Sequence, residues 1–171
     1  MASVLDLPKL MRYSAWANAT LYQTLDDVPL SVLVGSRPGR PAGLIATVSH
    51  LCAVDRIWKA HLENTAHGFT TRQLDPVPPW RELREMQASL DQWYIDYAQG
   101  LSEAELSQVV SFTFVDGGPG ALSRGDILLH IVNHKTYHRG YIADMLYESG
   151  LRPPTLDLPV FLRDVGSVSN C

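Results

Sequence analysis

The sequence predicts an all-α protein: a four-helix bundle with a small β-hairpin or extended insertion before the last helix. In four long stretches apolar residues recur every three or four positions, which is the spacing of one helix face. Segments rich in proline and glycine separate these stretches, and one short segment alternates apolar and polar residues as a strand does. The 171 residues suffice for one hydrophobic core. We therefore expect a single helical domain over residues 1–165, followed by a mobile tail over residues 166–171.

A long loop separates the first two predicted helices. The first helix runs from Leu5 to about Asp27, and the proline- and glycine-rich stretch Gly35–Pro41 follows it. The second helix runs from about Ala42 to His67, where Gly68 is a typical helix stop.

The third helix begins directly after a proline. Pro79 suits the first turn of a helix that extends from Trp80 to about Gln99, because the proline lacks only an N–H that has no helical partner there. Ser102 with Glu105 is a capping-box pattern, which predicts one short helical turn.

A hairpin and the fourth long helix follow. Residues Gln108–Val115 alternate as a strand, Asp116–Gly118 form a turn, and Gly120–Leu122 is a short return strand. The last long helix covers Arg124–Glu148, and we expect the segment Leu158–Leu162 to pack back on the bundle.

Composition argues against several classes of protein. The formal net charge is −4 and the basic residues are scattered, so we expect no nucleic-acid binding. No stretch reaches the roughly 20 apolar residues of a membrane span, and the first residues do not resemble a secretory signal. Cys52 lies in a predicted buried helix and Cys171 is the last residue, so a structural disulfide is not expected. We expect a cytoplasmic protein that does not bind membranes.

Three histidines form the strongest candidate site. His134 and His138 are four residues apart, about one helical turn, so both side chains can point to the same side of the last helix. His50 lies among the apolar positions of the second helix. A buried imidazole needs partners for both ring nitrogens. One divalent cation shared by the three imidazoles would be such a partner and would keep coordination positions open.

Spacing alone leaves alternatives open. A histidine on an apolar face is more often hydrogen-bonded to a carbonyl than bound to a metal, so a structural role is one alternative. His130 lies one turn before His134 and could take the place of His138, but His130 and His138 are about 12 Å apart along the helix and do not easily share one metal. We expect His61 and His67 to be solvated, with His67 at the C-terminus of the second helix, where a cation complements the helix dipole.

Several familiar site motifs are absent from the sequence. There is no Glu-x-x-His, as in di-iron bundles, and no His-Glu-x-x-His, as in many metalloproteases. Phosphate loops, dinucleotide-binding glycine motifs and Gly-x-Ser-x-Gly are missing as well.

The chain resembles the DinB/YfiT-like family of small metal-binding helix bundles over roughly residues 5–150. The resemblance lies in three stretches, of which the last is the most specific: Tyr13-Ser-Ala-Trp16-Ala-Asn18, Thr47-Val-Ser-His50-Leu, and Leu129-His-Ile-Val-Asn-His134-Lys-Thr-Tyr-His138-Arg-Gly-Tyr-Ile142.

The resemblance implies that His50, His134 and His138 are the metal ligands, which favours His138 over His130 as the partner of His134. Two positions depart from the commonest family pattern: Tyr137 stands where many members have a further His, and Tyr141 where Gln is frequent. Neither is a ligand position, so the departures concern the pocket wall and hence the substrate.

Members of this family with an assigned activity are thiol-dependent transferases or isomerases that use bacillithiol, mycothiol or glutathione. The resemblance therefore implies a divalent-metal-dependent enzyme that transfers or activates a low-molecular-weight thiol and acts on a small-molecule substrate, and it implies a homodimer. Zinc or nickel is our first expectation for the metal, while iron, cobalt or manganese also suits nitrogen ligands. The alternatives are a metal-dependent hydrolase and a non-catalytic metal- or small-ligand-binding stress protein.

No residue is assigned a catalytic role, but several side chains are candidates for the pocket or for contacts to the ligands. Arg139 could bind the carboxylate of a thiol, although an exposed salt bridge is an equally good interpretation. We expect Asp55 to be a solvated or capping group. The full set of pocket candidates is His130, Asn133, Arg139, Tyr13 and Trp16, of which the last two are also typical core residues.

Overall fold

The computed structural model describes residues 6–36 and 42–165. Its four long helices form a bundle, and a two-stranded antiparallel hairpin precedes the last of them, so the predicted fold class is confirmed. The predicted tail over residues 166–171 lies outside the described residues. In chain order the helices and strands are α1 (Leu7–Asp26), α2 (Leu30–Leu33), α3 (Leu44–Leu62), α4 (Trp80–Gly100), α5 (Glu103–Leu106), β1 (Val109–Thr113), β2 (Pro119–Ser123), α6 (Arg124–Glu148) and α7 (Leu158–Asp164).

Side-chain caps fix where several helices begin. The Asp6 carboxylate accepts a hydrogen bond from the backbone N–H of Lys9 at 2.9 Å and so starts α1. The Ser123 hydroxyl accepts one from the backbone N–H of Asp126 at 3.0 Å and so starts α6. Ser102 forms the predicted capping box at the start of α5.

The first two long helices of the bundle, α1 and α3, are not neighbours in space. Helix α1 packs beside α4 and α6, and α3 packs beside the same two helices, so α1 and α3 lie on a diagonal of the bundle. This arrangement, which differs from a simple up-and-down bundle, places α3 directly beside α6.

The second long helix ends five residues before the predicted position. Helix α3 ends at Leu62, and Asn64 takes up a left-handed conformation with φ 55°. The backbone N–H of Thr65 then donates to the carbonyl of Ala60 at 2.9 Å, which closes the helix end. The prediction that this helix reaches His67 is wrong. The spacing of apolar residues carries no information about the backbone conformation of one residue, here Asn64.

The hairpin packs its aromatic side chains against the bundle. Phe112 of β1 lies opposite Gly120 of β2, and its ring covers the glycine so closely that a Cβ there would lie 2.4 Å from the ring. The ring of Phe112 also packs edge-on against Trp58 of α3, with centroids 4.9 Å apart. The hairpin is therefore held over the α3 side of the bundle.

A layer of buried polar side chains divides the apolar core into two clusters. One cluster includes Leu21, Leu44, Leu83 and Met145, and the other includes residues nearer the hairpin, such as Trp58 and Ile131. The layer between them, called here the buried polar layer, consists of Ser14, Asn18, Asp55, Gln87, Asp91, Lys135 and Arg139, each at most 7% exposed.

Lys135 is the central cation of the buried polar layer. Its Nζ lies 2.7 Å from Oδ2 of Asp55 and 2.7 Å from Oδ1 of Asp91. Burial alone would lower the pKa of Lys135, but the two carboxylates outweigh burial and raise it, so the side chain stays an ammonium. Gln87 Nε2 donates to both carboxylates, at 2.7 and 3.1 Å.

Arg139 is the second cation of this layer and faces α1. Its Nη1 donates to Oδ1 of Asn18 at 2.9 Å and to Oγ of Ser14 at 3.2 Å. With Asp55 0% and Arg139 3% exposed, the expectation of a solvated carboxylate and the interpretation of an exposed salt bridge are both wrong. Charged groups can lie in the core here because side chains from all four long helices pair with them.

The chain after α6 returns to the bundle, as predicted. Helix α7 packs on α1, where Phe161 is 3% exposed. Cys52 has a free thiol in the core, while Cys171 lies outside the described residues. Within residues 6–36 and 42–165, no helix combines the length and the apolar character that a membrane crossing requires.

Candidate metal centre

Three imidazoles converge where α3 and α6 lie side by side. His50 extends from α3, and His134 and His138 extend from successive turns of α6. One ligand nitrogen from each ring can be chosen so that all three lie within 4.8 Å of one another. The Nε2 atoms of His50 and His134 are 3.3 Å apart. This distance fits a shared cation, because two nitrogens bound to zinc at about 2.0 Å in a tetrahedron are about 3.3 Å apart.

The protein backbone fixes the orientation of His50. Its Nδ1 lies 2.7 Å from the carbonyl oxygen of Arg72, and since a carbonyl can only accept, Nδ1 carries the proton. The lone pair of the neutral ring is then on Nε2, the atom that faces His134. A hydrogen bond of this kind is how proteins commonly hold a metal-binding histidine in one tautomer.

The two imidazoles of α6 each have a buried ring nitrogen that the described residues do not satisfy. Nδ1 of His134 and Nδ1 of His138 have no hydrogen-bond partner there. No described partner therefore fixes the proton on one nitrogen of these two rings, and either nitrogen can carry the lone pair that a cation needs. The residues present therefore fit a divalent cation.

The three rings are neutral at pH 7. Burial, followed by repulsion from His138 and His50, lowers the pKa of His134 to about 3. Burial and the neighbouring His50 lower the pKa of His138 to about 4, and burial lowers that of His50. Neutral imidazoles offer lone pairs to a cation without first losing a proton, which keeps the site ready for metal binding at neutral pH.

A cavity of ≈ 280 Å³ adjoins two of the three imidazoles. Most of its wall is apolar or aromatic, and Arg72 is the one residue with a permanent charge among its described lining residues. The lining residues are His50, Val54, Ile57, Trp58, His61, Arg72, Phe114, Val115, His130 and His134.

The tip of the hairpin closes one side of this cavity. Phe114 and Val115 belong to the lining, and the next residue, Asp116, pairs with Arg72 at 3.3 Å. Both partners of this ion pair are at least half exposed, at 50% and 69%. The pair connects the hairpin to the loop whose carbonyl orients His50.

Among the pocket candidates, the structure brings only His130 to this cavity. Its ring stacks on His134 with centroids 5.5 Å apart and meets Trp58 at 5.1 Å. Tyr13 and Trp16 instead pack against Phe161 of α7, at 5.8 and 5.7 Å.

Two further candidates of α6 also lie away from the cavity. Asn133 is exposed and is not part of the cavity lining. Arg139 belongs to the buried polar layer, where its guanidinium faces Ser14 and Asn18 and so is not presented to a ligand in the cavity.

His61 and His67 differ from the expectation that both are solvated. Both are half-buried, and the ring of His61 packs on Phe112 at 5.0 Å and on His67 at 5.2 Å. His67 accepts a hydrogen bond from the backbone N–H of Phe69 at 2.9 Å. Because α3 ends at Leu62, the proposed interaction of His67 with the end of this helix is wrong.

Two groups close to the site were not predicted from the sequence. One is Arg72, whose loop has no periodic pattern and so gave no signal. The other is Lys135, for which a signal existed. Lys135 and Arg139 lie within a series of positions three or four residues apart, which is the spacing of one buried helix face. The positions are Leu128, Ile131, Lys135, Arg139, Ile142 and Leu146, all of them buried.

Comparison with known proteins agrees with this fold. The model of the DinB family matches residues 1–165. Protein DinB of Bacillus subtilis (strain 168) is 23% identical over 160 residues, which are 90% of this chain and 92% of that protein. The crystal structure of a DinB-like protein from Bacillus cereus ATCC 10987 has a TM-score of 0.63 and 17% identity, and the match covers 85% of this chain and 94% of that one. With a family match that extends from the first residue to the end of α7, this chain belongs to the DinB family.

Proposed function

We propose that His50, His134 and His138 bind one divalent cation, and that this centre activates a low-molecular-weight thiol for transfer to an electrophilic small molecule. The observation that carries the proposal is the convergence of three neutral imidazoles within 4.8 Å beside a cavity. Zinc or nickel is the proposed metal, and iron, cobalt or manganese are alternatives that nitrogen ligands also accept.

His50, His134 and His138 would hold a divalent cation without neutralising its charge, and such a cation would lower the pKa of a bound thiol so that a thiolate is available at neutral pH. The thiolate sulfur would form a bond to the electrophilic carbon of the second substrate. The leaving group would depart with its electron pair, and the thiol proton would pass to solvent.

The residues of this chain contribute position and environment to that reaction. The Arg72 carbonyl holds the ring of His50 in the tautomer that presents Nε2. The walls formed by Trp58 and Phe114 offer an apolar surface on which an electrophile can lie next to the centre.

The composition of the cavity supports thiol transfer over hydrolysis. In zinc hydrolases of the His-Glu-x-x-His type, a glutamate beside the metal takes the proton from water. None of the described residues that line the cavity is Asp or Glu. A thiol has less need of such a base than water has, because a coordinated thiol loses its proton outright, whereas zinc-bound water has a pKa of about 7.

Metal analysis tests the first part of the proposal. We expect the purified protein to take up one equivalent of zinc or nickel, and we expect His134→Ala to lose most of it. The matched control is His130→Ala, which removes an imidazole one turn earlier on the same helix and should keep the metal. An unchanged metal content in His134→Ala would refute the assignment.

A panel of thiols tests the second part. The metal-loaded protein is incubated with bacillithiol, mycothiol or glutathione and a chromogenic aryl electrophile. We expect thiol-dependent turnover that stops when a chelator removes the metal and returns when the metal is restored. Turnover of esters or amides without any thiol would favour the hydrolase alternative, and metal binding without turnover of either kind would favour a binding protein.

A further inference from the structure

The cavity beside the three imidazoles combines one fixed positive charge with an apolar wall. The charge belongs to Arg72, whose guanidinium pairs with Asp116, the residue after the lining residue Val115, and none of the described lining residues has a carboxylate. Val54, Ile57, Trp58 and Phe114 form the apolar part. A cavity of this kind is complementary to a small molecule that is negatively charged at one end and apolar at the other.

The guanidinium of Arg72 is available to such a molecule. Its partner in the structure, Asp116, is 69% exposed and Arg72 itself is 50% exposed, so solvent screens their attraction. An ion pair of this type is readily exchanged for another carboxylate that also gains apolar contacts. The guanidinium of Arg139, by comparison, is 3% exposed and already donates to Asn18.

We propose that the cavity binds the electrophilic cosubstrate as a small aromatic or branched apolar carboxylate, whose carboxylate replaces Asp116 on the guanidinium of Arg72. This inference rests on the proposed function for the role of the bound molecule as electrophile. It makes Arg72 a residue that determines specificity with its side chain while its backbone carbonyl orients His50. The apolar body of the cosubstrate lies against Trp58 and Phe114, next to His134.

Binding of a matched pair of probes tests this inference. Isothermal titration calorimetry measures the affinities of 3-phenylpropionate and of 3-phenylpropionamide, which has nearly the same shape and no charge. Both probes are titrated into the full chain in metal-free and in zinc-loaded form. We expect the carboxylate to bind about tenfold more tightly than the amide in both forms. Arg72→Gln should abolish this preference and leave the affinity for the amide unchanged.

Two further variants keep the test independent of any folding defect in Arg72→Gln. Asp116→Asn removes the internal competitor and should tighten carboxylate binding several-fold. Arg84→Gln breaks an Arg–Asp pair with Asp26 away from this cavity and should leave both affinities unchanged.

Equal affinity for the two probes, or a carboxylate preference that survives in Arg72→Gln, would overturn the inference. A preference seen only in the zinc-loaded protein would overturn it too, because the metal would then hold the carboxylate. Thiol turnover without any carboxylate preference refutes this inference alone. A preference that depends on Arg72 without thiol turnover supports the carboxylate site and refutes the proposed function.

Discussion

Replacing Lys135 by methionine should remove a large part of the stability of this protein. Lys135 is 1% exposed, and its loss leaves the carboxylates of Asp55 and Asp91 in the core with no cation between them. Breaking a buried ion pair by removing one partner costs about 3–5 kcal/mol. Since two carboxylates lose the same partner and solvent does not reach the pair, we expect a loss of about 4–5 kcal/mol in the free energy of unfolding.

Urea denaturation of the metal-free protein, followed by far-ultraviolet circular dichroism at pH 7, measures this loss. The matched control is Lys9→Met, because Lys9 forms a 3.0 Å pair with Asp6 but is 46% exposed, and it should cost less than about 1 kcal/mol. The double variant Lys135→Met with Asp55→Asn should be more stable than the sum of the single effects predicts, since it neutralises one of the stranded carboxylates. A loss below about 1 kcal/mol in Lys135→Met, or strict additivity, would refute the reasoning.

Three other perturbations have expected outcomes. The metal-free protein should lose about 2 kcal/mol between pH 7 and pH 5, after a discount for partial exposure. The reason is that His134 and His138, with pKa values of about 3 and about 4, stay neutral in the fold while the unfolded chain takes up protons below about pH 6.5. Urea titrations at both pH values measure this change, and a flat profile would contradict it. Zinc at about a hundred times its dissociation constant should raise the free energy of unfolding by about 2.7 kcal/mol, which a thermal melt detects, and His138→Ala should show no such gain. Gly120→Ala should cost about 1–3 kcal/mol, because its Cβ would lie 2.4 Å from the Phe112 ring, whereas Gly118→Ala, with its nearest contact at 3.8 Å, should melt near the parent temperature.

The helices could be predicted from sequence because each of them buries one face. For α6 the apolar spacing and the capping serine predicted the observed bounds, Arg124–Glu148. The end of α3 could not be predicted in the same way. Ala66 and His67 are compatible with a helix, and only the left-handed conformation of Asn64 ends it. A helix end depends on the backbone conformation of a single residue, whereas a periodic pattern is recognised only over many residues.

The three histidines of the candidate metal centre could be predicted from the sequence, whereas the residues around them could not. Two of the three histidines share one helix, so a spacing rule places them together. The partners of Lys135 lie 44 residues away in Asp91 and on a third helix in Asp55, and the sequence does not state which helices are neighbours. Without those partners a lysine in an apolar spacing is indistinguishable from one on a solvated face. Arg72 contributes through a backbone carbonyl, which every residue type possesses.

The candidate ligands are far apart in the chain, and this has a consequence during synthesis on the ribosome. His50 and His134 are separated by 84 positions, and two of the three imidazoles belong to the last long helix. A nascent chain therefore carries a single imidazole of the set until residue 134 has been added, and one imidazole holds a divalent ion only weakly. With the proposed ligands, the complete site would form only after α6 has been translated, so chains that terminate before α6 would lack it.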